Sequence, residues 1–101
     1  MQGINVIDYA VLAVADASAG VGLADGTPAL PAKAKRVYIT CETQNVRWRA
    51  DGDAPTQTEG HVLTKDDSIS FTGANYRQLL EKILFRQTSA GAGALKITYF
   101  D

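Results

Sequence analysis

The chain has 101 residues, enough for one hydrophobic core and too few for two. Hydrophobic residues at 46% and charged residues at 21% exclude wholesale disorder. Ten Lys and Arg against eleven Asp and Glu leave a net charge of −1, so there is no basic field to hold a polyphosphate backbone and nucleic acid is not expected as a partner.

The start, Met1-Gln2-Gly3-Ile4-Asn5, lacks the basic segment of a secretory signal, and no apolar run approaches the roughly 20 residues of a membrane span. The expectation is a chain made in a cytoplasm, with no membrane partner. Ile4, Val6 and Ile7 are apolar and precede the well-patterned part of the sequence. Residues 1–7 therefore read as an N-terminal arm that docks on a neighbour, within a single β domain spanning 1–101. From residue 6 to 15 two readings compete. Ile7, Val11 and Val14 stand at helical spacing, whereas Tyr9, Val11 and Ala13 against Ala10, Leu12 and Val14 make a strand apolar on both faces. The strand is preferred, because the remaining chain is β and needs partners. Val21-Gly22-Leu23 reads as a second short strand ended by Asp25-Gly26, and Thr27 to Lys33, with Pro28 and Pro31, as an extended surface connection.

Arg36 to Glu42 alternates β-branched and aromatic residues with polar ones, the pattern of a half-buried strand. Thr43-Gln44-Asn45 is a polar break in which Asn45 can take a left-handed conformation. Val46 to Ala50 alternates again, with Val46, Trp48 and Ala50 on one face and Arg47 and Arg49 on the other. These two runs are expected to pair as an antiparallel hairpin. Asp51 to Gly60 is a turn-rich loop, followed by strands at His61-Val62-Leu63 and Ser68 to Thr72, with a turn at Lys65-Asp66-Asp67. Residues 75–81 carry the one helical signal, with Asn75 as cap and Gln78 three residues on. Ile83 to Thr88 and Ala94 to Phe100 read as strands of a second hairpin, joined through the glycine-alanine turn, with Leu95, Ile97 and Tyr99 inward. Seven to eight short strands with one brief helix predict a mostly β chain, an antiparallel β-sandwich or small barrel of jelly-roll or immunoglobulin-like type.

Candidate chemistry is sparse. The single cysteine, Cys41, excludes an internal disulfide and a cysteine-based zinc site, and alternation places it inward with Val37 and Ile39. His61 could form a triad with Ser68 and Asp66 on paper, but Ser68 has no nucleophile-elbow context and strand geometry scatters such near neighbours. Asp51, Asp53 and Glu59 could offer loop oxygens to calcium, yet EF-hand spacing is missing and aspartates beside glycine are turn formers, as are Asp66 and Asp67. Arg47 and Arg49 flank Trp48, a combination that can grip a phosphate or a sugar face. On a strand Trp48 points away from them into the core, and the arginines are expected to pair with carboxylates on adjacent strands. Gly91-Ala92-Gly93 lacks the third glycine and following helix of a dinucleotide site. No catalytic residue, metal ligand or cofactor is assigned, and the chain is not expected to be an enzyme.

A strand of the Val-Tyr-Ile-Thr type, then Val46 to Gly52, Ala54-Pro55-Thr56, Gly60-His61-Val62-Leu63, Asp67-Ser68-Ile69 and a closing Leu95 to Phe100, form a recognisable succession. It is similar to a group of small virion proteins encoded in the structural modules of tailed bacteriophages. The resemblance covers the chain from Arg36 to Phe100. It implies a small β-sandwich in the particle, assembled in the bacterial host cytoplasm. The expected role is a capsid decoration, or cement, protein that stabilises the head shell, with a tail accessory protein as the alternative. The implied partners are the chain itself, as a homotrimer or homodimer, and a major capsid or tail protein, with Ile4, Val6 and Ile7 as the assembly contact. A carbohydrate- or surface-binding module is the competing class. It would use Tyr38, Tyr76 and Phe100 as exposed aromatics.

Overall fold

The computed structural model describes residues 5–73, 75–88 and 93–101. In chain order the strands are β1 (Val6–Val14), β2 (Val21–Gly22), β3 (Arg36–Glu42), β4 (Val46–Arg49), β5 (His61–Leu63), β6 (Ser68–Phe71), β7 (Leu84–Gln87) and β8 (Gly93–Phe100). A 3-10 turn at Leu23–Asp25 and one short helix, α1 (Arg77–Lys82), complete the described elements. The segment with two competing readings is a strand. Ala10, Leu12 and Val14 of β1 are buried while Tyr9, Val11 and Ala13 are exposed.

The strands form two antiparallel sheets of four, ordered β1-β8-β3-β6 and β2-β7-β4-β5. The pairings are nested: β1 with β8, β2 with β7, β3 with β6 and β4 with β5. Two further pairings, β3 with β8 and β4 with β7, close the roll. A long antiparallel hairpin wound in this way is a jelly roll, which decides between the two sandwich types expected. The inner faces meet in one core. Ala10, Leu12, Val14, Val37, Ile39, Leu95, Ile97 and Tyr99 come from the first sheet, and Val46, Leu63 and Phe85 from the second. Leu23, Leu80 and Ile83 plug its margins. Each of the larger side chains contributes roughly 1.5–3 kcal/mol by leaving water.

This topology corrects both expected hairpins. β3 and β4 lie in opposite sheets, as do β7 and β8. Alternation identifies which face of a strand is inward, but a facing sheet covers that face as well as any strand beside it supports it. The corner after β3 is made at Thr43, whose φ is 72°, and not at Asn45. Asn45 instead accepts the Lys65 N–H on its Oδ1 at 2.7 Å, fixing the turn that precedes β6. The helix also begins later than expected. Tyr76 is its cap residue and makes no side-chain bond, while Asn75 Oδ1 accepts the Arg77 N–H at 3.0 Å just outside the helix. A tertiary anchor sets the start: the Arg77 guanidinium donates to Pro31 O at 2.6 Å and Ala34 O at 3.0 Å.

Val6 and Ile7, expected in an arm ahead of the domain, lie within β1, where Val6 is opposite Phe100 across a bulge. Ile7 packs against the core, and Ile4 lies outside the described residues. Beside this pairing Asn5 Nδ2 donates to Asp101 Oδ2 at 3.3 Å and the Asp101 N–H to Asn5 O at 3.1 Å.

Tyr99 carries a polar conflict into the core. Its side chain is fully buried and its hydroxyl has no hydrogen-bond partner among the described residues. Burial, with the Asp8 charge adding to it, pushes the phenol up to about 12. An unfolded tyrosine ionises near pH 10, so the folded chain keeps a proton that the unfolded chain releases. Stability from this group is complete below about pH 10 and is lost between about pH 10 and 12. Tyr99→Phe removes the stranded hydroxyl and should match or exceed the parent by about 1 kcal/mol in urea melts at pH 8. It should also lose less stability than the parent between pH 9 and pH 11. A clear destabilisation at pH 8 would reveal a partner for the hydroxyl.

Candidate functional site

β4 and β5 are the only consecutive described strands that neighbour each other, so the 50–60 connection forms the tip of the rolled hairpin. An open cleft of about 710 Å³ lies there, lined by Trp48, Arg49, Asp51, Glu59 and His61 among others. The register sets Trp48 opposite His61, and their rings stack at 4.6 Å between centroids with a 35° tilt. Phe71 of β6 meets the indole edge-on at 5.8 Å, and Tyr76 follows at 5.4 Å from Phe71. Trp48 is thus half-buried, one ring in an aromatic row that bridges the two sheets where β5 and β6 leave the sandwich edge open. Contacts of this kind are worth about 0.5–1.5 kcal/mol beyond their buried area.

The arginines of β4 find partners in the following loop and not on adjacent strands. Arg49 Nε donates to Asp51 Oδ1 at 3.0 Å, its Nη2 pairs with Asp51 Oδ2, and Asp53 Oδ2 lies 3.6 Å away. The Arg49 hydrogen bond holds the Asp51 carboxyl below the usual carboxylate range. Arg47 donates from Nε to Gln57 O at 3.1 Å and from Nη1 to Gly60 O at 2.8 Å, tying the loop back over β4. Thr56 closes the loop internally: its Oγ1 accepts the Glu59 N–H at 2.9 Å and its own N–H donates to Glu59 O at 3.0 Å. The far side is fastened by Asp16, which receives Arg86 Nε at 2.7 Å and Gln57 Nε2 at 2.5 Å. The Arg86 hydrogen bond pulls the Asp16 carboxyl below its usual range. Gly60 sits at φ 125°, where a Cβ would come within 2.9 Å of Pro55 Cβ and 3.2 Å of Trp48 O. A side chain there is both strained and obstructed.

The cleft brings His61 near carboxylates, but Asp51 is held by Arg49 and Ser68 belongs to the other sheet, opposite Thr40. The paper triad of Ser68, His61 and Asp66 is therefore split between sheets and a turn. Cys41 is buried, its Sγ donating to Gln44 O at 3.0 Å, and burial pushes its thiol up, away from the reactive thiolate. Among the described residues no group of three or more His, Cys, Asp or Glu is arranged to hold a metal ion. No helix among them is long and apolar enough to cross a membrane.

A second feature covers the outer face of the first sheet. Val6, Tyr9, Val11 and Tyr38 are 65%, 54%, 37% and 42% exposed, and all four point outward from it. Tyr9, Thr98, Tyr38 and Ser70 form one row across all four strands, with Val11, Lys96, Thr40 and Ser68 in the next. The sign of this face in the sequence is a first strand apolar on both sides. One side is satisfied by the core and the other is left for something else. The aromatics expected to serve a ligand are dispersed: Tyr76 is packed beside Phe71 at the helix start and Phe100 is half-buried, leaving Tyr38 alone well exposed. Of the described residues of the expected assembly contact, Val6 lies on this outer face and Ile7 packs against the core.

Comparison with family models, curated proteins and solved structures finds no match to this chain.

Replacing Arg47 with Met keeps the stem over the loop but removes two carbonyl anchors. The 50–60 loop should then be cleaved several-fold faster by a broad-specificity protease under native conditions, with the far-ultraviolet circular dichroism unchanged. Gly60→Ala should lower stability by about 1–3 kcal/mol in the same urea assay.

Proposed function

We propose that this chain is a structural protein of a tailed-phage particle, a capsid decoration protein that binds and stabilises the head shell. The reading rests on the sequence succession from Arg36 to Phe100. The observation that carries it physically is the outer face of the first sheet. Among the described residues, four of the five exposed large hydrophobic side chains belong to that face, and solvent contact costs each of them the gain of burial. Such a face suits a protein that works by being covered, as a subunit of an assembly does.

The sheet edges favour contact through faces. On β1 the Tyr9 N–H donates to Asp8 Oδ1 at 2.8 Å, while Val11 exchanges bonds with Thr27 at 3.0 and 2.9 Å. The other edge strands are short, with β2 of two residues, β5 of three and β6 of four. Short or occupied edges resist strand addition, so the side chains of the sheet face are what remains to make a stable contact. In this reading the chain is made in the host cytoplasm and ends in the virion.

Gold-labelled antibody raised against the purified chain, applied to particles of the phage that encodes it, tests the proposal. Label distributed over the head is expected. Label confined to the tail would transfer the chain to the accessory class, and particles without label would remove the virion reading.

A further inference from the structure

We infer that the outer face of the first sheet is a self-association surface on which a second copy of the chain packs face to face about a two-fold axis. The inference deepens the assembly reading above and names its first partner. Two observations point to an identical copy rather than to a charged partner, and a third sets the strength of the contact.

The first is charge. Lys96 Nζ and Glu42 Oε1 are 3.8 Å apart on the face itself, and Arg36 donates from Nη1 to the main-chain oxygen of Asp101. The face thus carries charges of both signs, with Arg36 on a neutral carbonyl and Glu42 only loosely paired, so a copy that sets Arg36 over Glu42 meets it without like-charge repulsion. A strongly basic or acidic partner would find little on it to pair with.

The second is the polarity of β3. Its outward residues run Arg36, Tyr38, Thr40 and Glu42, with the cation at one end and the anion at the other. A two-fold axis across the strands brings the Arg36 end of one copy over the Glu42 end of the other. It also sets the Tyr38 row over the Thr40 row, so that Tyr9 and Tyr38 meet aliphatic and hydroxyl groups and not each other's rings head-on. This is the self-complementarity that an isologous contact requires.

The third is area. Four strands about 4.8 Å apart, of nine, eight, seven and four residues at about 3.3 Å each, give a face on the order of 450 Å². Specific interfaces at the small end bury under about 600 Å² per partner. The face is therefore large enough for a reversible dimer and too small for an obligate one.

Light scattering coupled to size exclusion, run on the full chain from low micromolar to millimolar concentration, reads the association. The mass is expected to rise from one copy toward two across that range. Tyr38→Glu and Tyr9→Lys should each shift the midpoint to at least tenfold higher concentration, and the double variant should remain a single copy throughout. Val62→Glu, on the outer face of the other sheet beside Arg47, should leave the midpoint unchanged. Trp48 emission, which reports the aromatic row between the sheets, identifies any variant that fails to fold. A wild-type mass of one copy at every concentration would overturn the inference. So would association that survives both tyrosine substitutions in folded protein, or that Val62→Glu abolishes. These outcomes leave the antibody test on particles untouched, so the two readings stand or fall separately.

Discussion

The position of β8 between β1 and β3 is the constraint on which the rest of the structure depends. β8 is hydrogen-bonded along both sides, to the first strand of the chain and to the third. It alternates without interruption, with Leu95, Ile97 and Tyr99 buried and Lys96, Thr98 and Phe100 half-exposed. The first sheet cannot assemble until the two ends of the chain have met, and the bonds between Asn5 and Asp101 mark that meeting. A fold made of such distant pairings closes its longest loop to gain its central ladder, which places it among slowly folding β topologies.

Nested pairing also explains where the surface features lie. Winding a hairpin into two sheets brings its tip, the 50–60 loop, to one end of the sandwich and sets Asn5 beside Asp101 where β1 pairs with β8. The tip has little hydrophobic content, so it is held by directed bonds: two from Arg47 to carbonyls, those of Thr56 within the loop, and Gln57 to Asp16. The Trp48–His61 stack seals the flank beneath it. The carboxylates of the cleft are partly consumed in this fastening, Asp51 by Arg49 above all. The cleft thereby gains rigidity and loses much of the free polar capacity that a ligand would need.

The outer face of the first sheet has the opposite character. Its residues neither fasten a loop nor fill the core, yet several are large and apolar. An exposed tyrosine or valine alone is ordinary on a protein surface; here four are gathered on one face beside rows of hydroxyl groups. The edge of β1, occupied by Asp8 and Thr27, is poorly suited to strand addition.

The sequence by itself determined which residues turn inward. Val37, Ile39 and Cys41, and Leu95, Ile97 and Tyr99, all follow from a side-chain period of two, which is a local property of extended backbone. It also marked the loops, through Asp-Gly, Pro and polar clusters, and the strand nature of most of the chain. Only the tertiary structure decided which strands are neighbours. An inward face is buried equally well whether the next strand continues in the same sheet or crosses to the facing one, so alternation could not distinguish a hairpin from a corner after Glu42 or after Gln87. The partners of Arg47 and Arg49 were hidden for the same reason, since they lie in a loop whose path depends on that crossing. The β1 face was half legible: the residues fitted a strand apolar on both sides, and the winding of the sheets decided which side the core would take.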